Sequence, residues 1–229
     1  IENIKKACFL TDRTFKYILE QIKPGITEKK LVLLIELFIR ENNADIAFPP
    51  ICAFGNNSSI PHHQPNDQRL KSNDQILLDF GAKINNYCSD MTRTVFLGKA
   101  KGEQKRIYRT VLKAQKKAIE FLASNLRLLS SDTKPLKTSS LDQVARSYII
   151  SEGFPAIPHS LGHGIGIEVH EGLKISPKSK DVIKPGMVFS IEPGIYLPNI
   201  GGVRIEDLVL VNGKGIQILT SSPRHLIEL

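Results

Sequence analysis

Apolar and polar residues follow two patterns along this chain, and each pattern predicts a different kind of element. Four long segments have the pattern of a helix, and in the second of them Leu31, Leu34, Ile35 and Phe38 fall on one face. The predicted helices cover about residues 2–21, 27–42, 102–126 and 140–152. Shorter apolar runs between turn-forming residues predict strands. These strands are expected at about residues 51–54, 75–80, 87–97, 187–191, 202–211 and 216–219.

Residues that favour caps and turns mark the ends of several predicted elements. Thr27 is placed to cap the second helix with its side chain, and Gly153 is placed to end the fourth. Asn85 and Asn86 are expected to form a turn between two strands, and residues 130–140 are expected to be a polar loop. Helices lying on one side of an antiparallel sheet indicate an α+β fold.

The two halves of the chain carry a faint internal repeat. In residues 70–79 and again in residues 183–192, a charged turn leads into a strand that ends on a carboxylate, Asp79 or Glu192. Each carboxylate lies nine positions after the opening aliphatic residue, and a glycine follows it two residues later. A short match of this kind is weak evidence for a repeat until it coincides with chemically important residues.

A second carboxylate follows in each half, and a histidine-bearing loop precedes each strand pair. Asp90 lies near the start of the next strand in the first half, and Glu206 lies in the corresponding strand of the second. The loops are residues 61–63 and 159–170. Two such halves facing each other would bring four carboxylates and several histidines to a shared centre.

Four carboxylates in one pocket would repel one another and raise one another's pKa values. Two divalent cations would remove that repulsion and allow a hydrolytic centre, in which a hydroxide held between the metals attacks the substrate. One imidazole completes the predicted ligand set, which consists of Asp79, Asp90, His163, Glu192 and Glu206.

Four stretches of the chain resemble the metallopeptidase family of methionine aminopeptidases, aminopeptidase P and prolidase. They are residues 57–62, residues 77–82 with 88–94, residues 159–171, and residues 190–196 with 202–207. The resemblance spans essentially the whole chain and implies the pita-bread fold, a curved antiparallel sheet covered by helices in two pseudo-twofold halves. It implies that residues 1–229 form one catalytic domain, and that a separate upstream domain has been left out.

Within that family, three positions resemble the Xaa-Pro branch. Arg204, His159 and Tyr196 each lie within four residues of a predicted metal ligand, as in aminopeptidase P or prolidase. Methionine aminopeptidases usually carry a different, glutamine-containing sequence at the last strand. The resemblance therefore implies a metallo-exopeptidase that hydrolyses the N-terminal Xaa-Pro bond, as an aminopeptidase or as a dipeptidase.

The resemblance also implies a role for each ligand. Asp79 would bind one metal through both oxygens, and Asp90 and Glu206 would bridge the two metals. His163 and Glu192 would bind the second metal. Glu192 is also expected to act as the base that takes a proton and delivers it to the leaving nitrogen. Carboxylates bias the set toward manganese, with cobalt, zinc and iron as alternatives.

Further polar residues are expected to face the substrate. His62, His159 and His170 could move protons or stabilise the oxyanion, although each could also be an ordinary polar loop residue. Arg204 would share a strand face with Glu206 and could hold a carboxylate by paired hydrogen bonds. Three other residues are expected to be less important, structural or incidental: His63, Asp207 and His225.

The amino-acid composition limits which partners the protein can bind and in which cellular compartment it is expected. A hydrophobic content of 41% supports a sizeable core, and no apolar run approaches the roughly 20 residues of a membrane span. The formal charge is +8, but the basic residues are dispersed on predicted helix faces, so nucleic acid is not expected as a partner. Three widely spaced cysteines suit free thiols in a reducing compartment, which favours the cytoplasm.

Three alternatives stay open at this point. The chain could be a methionine aminopeptidase-type enzyme, against which Arg204 and His159 argue. It could be a non-catalytic pita-bread binding module, but such relatives lose metal ligands and this chain keeps five. The isolated domain could also need the upstream domain, or a homodimer, to complete its pocket.

Overall fold

The computed structural model of this chain describes residues 1–127, 135–213 and 215–229. In these residues the helices are α1 (Glu2–Gln21), α2 (Glu28–Glu41), α3 (Gly102–Arg127) and α4 (Thr138–Ser151). All four predicted helices are confirmed, and α4 begins two residues earlier than expected. Thr27 caps α2, because its hydroxyl oxygen accepts a hydrogen bond from the backbone N–H of Lys30 at 3.1 Å. Part of the predicted polar loop, residues 130–134, lies outside the described residues.

The strands are short, and those that the structure pairs with one another run antiparallel. They are β1 (Asp45–Ile46), β2 (Ile51–Phe54), β3 (Gln75–Phe80), β4 (Ala82–Ile84), β5 (Tyr87–Cys88), β6 (Met91–Phe96), β7 (Gly162–His163), β8 (Lys174–Ile175), β9 (Val188–Ile191), β10 (Gly194–Leu197), β11 (Gly201–Arg204), β12 (Asp207–Asn212) and β13 (Gly215–Ile218). A 3-10 helix, Gly55–Ser59, follows β2. No helix in the described part of the chain is long and apolar enough to cross a membrane.

Two predicted strands are each broken in the structure. The expected strand 87–97 ends after Cys88 and resumes at Met91, and the expected strand 202–211 ends after Arg204 and resumes at Asp207. Apolar residues continue on both sides of each break, so the sequence pattern does not reveal it. Asp90 and Glu206 lie in these breaks. Each is therefore outside the paired strands and immediately precedes a long strand, β6 or β12.

The two halves repeat one order of elements. The first half runs from α1 and α2 through β2 and β3, then a hairpin of β4 and β5, and finally β6. The second half runs from α3 and α4 through β7 and β9, then a hairpin of β10 and β11, and finally β12. The halves meet where the backbone N–H of Glu206 donates to the carbonyl of Thr92 at 3.1 Å.

Each half has its own hydrophobic core between its helix pair and its strands. In the first half, Leu31 and Ile35 of α2 are fully buried against residues of β2 and β3, and Leu34 and Phe38 are partly buried beside them. The predicted apolar face of α2 is therefore the face that packs on the sheet. Residues of α3 and α4 cover the strands of the second half in the same way.

A buried ion pair joins the last strands of the two halves. Arg93 of β6 lies 2.6 Å from a carboxylate oxygen of Asp207 on β12, and neither side chain is more than 1% exposed. Thr220 and Gln115 also donate hydrogen bonds to Asp207, at 2.6 and 2.9 Å. Asp207 faces away from the cavity described below, which agrees with its expected structural role.

Asp207→Asn is expected to lower the free energy of unfolding by about 3–5 kcal/mol, because it leaves the guanidinium of Arg93 buried without a counter-charge. Urea unfolding followed by circular dichroism measures this loss. Asp67→Asn is the matched control, since its ion pair with Lys29 at 2.9 Å lies on the surface and contributes little. Equal stability of the two variants would contradict the expectation.

Candidate metal and peptidase site

A cavity of about 580 Å³ lies where the two halves meet, and it collects the residues that the sequence singles out. All nine predicted site residues line it: Asp79, Asp90, His163, Glu192, Glu206, His62, His159, His170 and Arg204. His225, expected to be incidental, is not among its lining residues, and neither is His63.

The predicted ligands lie on strands or directly beside them. Asp79 lies on β3 opposite Thr92 of β6, and Glu192 directly follows β9. His163 ends β7, where a Cβ on Gly162 would come 2.0 Å from the carbonyl oxygen of Ser190. Only glycine at this position lets β7 approach β9 so closely, and that approach brings His163 to Glu192.

Three ligand atoms are close enough to share one ion. One ligand atom from each of Asp90, His163 and Glu206 lies within 4.8 Å of the other two. The Nε2 atom of His163 is 3.6 Å from an Asp90 oxygen and 3.2 Å from a Glu192 oxygen. The structure therefore gathers two carboxylates and an imidazole from both halves into one candidate metal site, with Glu192 beside it.

The carboxylates of this cavity share a pattern of hydrogen bonding. One oxygen of Asp79 lies 2.5 Å from Arg204, and one oxygen of Glu206 accepts from the Thr92 hydroxyl at 2.6 Å. The other oxygen of each is buried without a hydrogen-bond partner, as is one oxygen of Asp90. Buried oxygens rarely lack a hydrogen-bond partner. Carboxylate oxygens without one are suitable ligands for divalent cations.

The pKa values of the acidic groups also indicate a site for divalent cations. Burial raises the pKa of Asp90 well above its ordinary value, and the charges of Glu206 and Asp79 raise it further. Burial likewise raises the pKa of Glu206, with Glu192 and Asp79 adding to the effect. Divalent cations would relieve both causes, because they neutralise the mutual repulsion and replace lost hydration.

His163 and Glu192 stabilise each other's charged forms. Burial alone lowers the pKa of His163, but its hydrogen bond to Glu192 and the charge of that carboxylate raise it to about 9. Burial alone raises the pKa of Glu192, but His163 brings it below its ordinary value. Metal binding and protonation of His163 therefore compete for the same ring nitrogen.

A chain of hydrogen bonds runs along one wall of the cavity. Arg204 donates to the hydroxyl of Tyr196 at 2.8 Å, and that hydroxyl lies 2.8 Å from Nε2 of His159. The other ring nitrogen of His159 is 2.7 Å from the carbonyl oxygen of Ser160. Because a carbonyl only accepts, that nitrogen carries the hydrogen, and the Tyr196 hydroxyl donates to His159. Burial lowers the pKa of His159, which favours this neutral form.

The comparison with known families decides the classification. Residues 2–213 match the model of metallopeptidase family M24. The chain belongs to family M24.

Several of the similar proteins are Xaa-Pro peptidases by name. The Xaa-Pro dipeptidase of Pyrococcus furiosus is 40% identical over 230 residues, which cover 99% of this chain and 63% of that protein. The structure of an Xaa-Pro dipeptidase from Bacillus anthracis matches with a TM-score of 0.91 at 37% identity, covering 100% of this chain and 62% of that one. An X-Pro aminopeptidase from Thermotoga maritima matches equally, with a TM-score of 0.91 at 38% identity and the same coverage. The chain thus spans less than two thirds of the length of these relatives.

These matches confirm the α+β pita-bread fold that the motifs imply. They also confirm the resemblance to the Xaa-Pro branch, since dipeptidases and an aminopeptidase of that branch are among the similar proteins. Membership of M24 implies binding of divalent metal, and the cavity offers a site for it.

Sequence reasoning missed two residues that orient the acidic groups of this M24 site. The Thr92 hydroxyl binds Glu206, and the Ser190 hydroxyl donates to Glu192 at 3.0 Å. Thr92 lies two residues after Asp90, and Ser190 lies two before Glu192. Side chains two apart on a strand share a face, so this spacing is the signal that could have found them.

Proposed function

We propose that this chain is the catalytic domain, residues 1–229, of a metal-dependent exopeptidase that cleaves the bond before a proline at the second position of a peptide. The observation that carries the proposal is the set of three buried, unpartnered carboxylate oxygens on Asp79, Asp90 and Glu206 in an M24 chain. The names of its relatives support the proline preference.

The five predicted ligands, Asp79, Asp90, His163, Glu192 and Glu206, would hold two divalent ions. By resemblance to the family, Asp90 and Glu206 would serve both ions. In support, each has a buried free oxygen and both lie in the triad with His163. We propose manganese, since the set is rich in carboxylates and has one imidazole, with cobalt, zinc and iron as alternatives. When bound, the ions would lower the pKa of a water and polarise the peptide carbonyl.

Glu192 is the proposed base. The Ser190 hydroxyl fixes one of its oxygens at 3.0 Å, and the other lies 3.9 Å from His159. That second oxygen can accept the proton of the attacking water and later deliver it to the leaving nitrogen. A proline nitrogen carries no hydrogen in the peptide, so its departure depends on a proton delivered in this way.

The histidines and Arg204 are proposed to act on the substrate side. His159 is held in its neutral form by Tyr196, and its Nδ1 hydrogen is donated to the carbonyl oxygen of Ser160. To stabilise the substrate carbonyl oxygen as that atom gains charge, the Nδ1 hydrogen would have to turn from Ser160 toward the substrate. His170 packs edge-on against His163, with ring centroids 4.1 Å apart, and His62 lies at the exposed rim. Arg204 fixes Asp79 and Tyr196 and so positions a ligand and a histidine together.

Lys174 brings a positive charge to the mouth of the cavity. It pairs with His163 across the ladder of β7 and β8, and both residues line the cavity. An ammonium group there suits the carboxylate terminus of a short peptide. Lys174→Gln is expected to raise KM for Gly-Pro by about threefold, the cost of a lost exposed charge contact, and to change kcat little. A Gly-Pro amide without the carboxylate should show no such difference between the variant and the parent, and an equal loss on both substrates would refute this role.

Hydrolysis of three peptides by metal-stripped protein, with and without added manganese, tests the proposed function. The peptides are Gly-Pro, an Xaa-Pro-Xaa tripeptide and Met-Ala-Ser. We expect manganese-dependent cleavage of a proline peptide; cleavage of Gly-Pro alone identifies a dipeptidase, and cleavage of the tripeptide an aminopeptidase. Cleavage of Met-Ala-Ser alone would overturn the branch, and silence on all three with metal bound would favour a binding module.

We also propose that the chain works in the cytoplasm. Its three cysteines, Cys8, Cys52 and Cys88, are buried and free, and burial raises the pKa of each thiol. Buried, protonated thiols without disulfide partners are typical of proteins in a reducing compartment.

A further inference from the structure

A buried carboxylate outside the cavity holds the loop that carries His62. Glu28 is the first residue of α2 and is fully buried. One of its oxygens accepts hydrogen bonds from the backbone N–H of Phe54 at 2.8 Å and from the side chain of Asn57 at 2.9 Å. The other lies 2.8 Å from Nε2 of His63 and accepts from the backbone N–H of Asn66 at 2.9 Å.

These four contacts are distributed along a single segment, residues 54–66. Phe54 ends β2 where the segment leaves the sheet, Asn57 lies in the 3-10 helix, and Asn66 lies where the segment returns to α2. One carboxylate therefore binds the beginning, the middle and the end of the loop. Each oxygen of Glu28 has two hydrogen-bond partners, so this buried side chain is satisfied by the loop alone.

The loop presents its remaining groups to the cavity. His62 lines the rim, while the adjacent His63 turns inward and is only 7% exposed. The carbonyl oxygen of Pro61 accepts a hydrogen bond from Arg204 at 3.3 Å, and Arg204 in turn binds Asp79. The positions of His62 and Pro61 thus depend on where His63 is held.

We propose that Glu28 and His63 are positioning residues that fix His62 against the substrate. This inference rests on the proposed function, because it assigns His62 a place beside the peptide. Neither residue touches the cavity, so their effect reaches the reaction only through the loop. Holding His62 in one place removes the cost of ordering it during each catalytic cycle.

His63→Leu tests the anchor, because leucine fills buried space but offers no hydrogen to Glu28. We expect kcat/KM for the cleaved proline peptide to fall by about tenfold, with metal content unchanged. His63→Gln keeps a donor and should recover part of the loss. Thr27→Ala is the matched control: it removes a cap at the same end of α2 but no bond to the loop.

A double-mutant cycle separates positioning from general destabilisation. If the anchor acts through His62, His63→Leu should cost almost nothing further in a His62→Ala background. An equal tenfold loss in both backgrounds would overturn the proposal, as would a Thr27→Ala variant that loses as much activity as His63→Leu.

Hydrogen exchange of residues 55–66 gives a readout that does not depend on turnover. We expect exchange there to be about tenfold faster in His63→Leu than in the parent or in Thr27→Ala. Equal exchange in all three proteins would overturn the anchor even if the parent cleaves proline peptides. Faster exchange in His63→Leu than in the parent, combined with a parent that cleaves no proline peptide, would retain the anchor and reject the proposed function.

Discussion

Glu192→Gln is expected to lower kcat for the cleaved proline peptide by about 10³-fold while the protein keeps most of its metal. A glutamine has the shape of glutamate, and its amide oxygen can still accept from Ser190 and lie near His163. It cannot take a proton from water at neutral pH. Steady-state kinetics with metal analysis of the same samples measures both quantities.

The matched control for this substitution is Glu168→Gln. Glu168 lies in the loop between His163 and His170 but is exposed and does not line the cavity. This variant should retain the turnover of the parent. Turnover of Glu192→Gln close to that of the parent would remove Glu192 as the base, whatever its metal content.

Asp90→Ala is expected to abolish binding of metal at the shared position and to remove activity. Asp90 lies in the triad with His163 and Glu206 and has a buried oxygen without a partner. Loss of an outer-shell partner already costs about 10–100-fold in metal affinity, and loss of a ligand to both ions should cost at least about 100-fold. Calorimetric titration of manganese into the stripped variant measures the loss.

Stability distinguishes loss of a ligand from loss of the fold. In the chelated protein, Asp90→Ala removes one of several carboxylates that repel one another, so we expect the variant to melt no lower than the chelated parent. Added manganese should then raise Tm of the parent and leave that of the variant unchanged. Full binding of two manganese ions by Asp90→Ala would contradict its bridging role.

The helices and the composition of the cavity follow from sequence patterns. Caps, glycine stops and apolar periodicity are local signals, and they gave α1, α2 and α3 within about one residue of the observed ends. The nine site residues could be named because charged residues are rare in strands and because four motifs resemble a known family. In the structure all nine line one cavity.

The pattern of apolar residues does not predict the strand breaks at Asp90 and Glu206. Apolar residues continue on both sides of each break, so the pattern predicts one strand there, and only the register of β6 and β12 with their neighbours reveals the break. β10 was also missed, because Pro193 and Gly194 at its start are typical of turns. These departures surround the site, where a regular ladder would point alternate residues away from the cavity.

The anchor on Glu28 was missed for a different reason. An acidic residue in the first turn of a helix is ordinary, since it interacts favourably with the helix dipole. Nothing local to residue 28 indicates that His63, 35 positions later, will lie against it. Contacts of such separation depend on how the loop returns to the helix, which periodicity does not encode.

The measurement that tests the central claim most directly is turnover of a proline peptide as a function of manganese equivalents added to stripped protein. If the five ligands hold two ions that act together, hydrolysis should be absent without metal and should reach its maximum only as the second equivalent binds. Maximal hydrolysis after one equivalent, or hydrolysis that persists in the presence of a chelator, would contradict a two-metal Xaa-Pro peptidase.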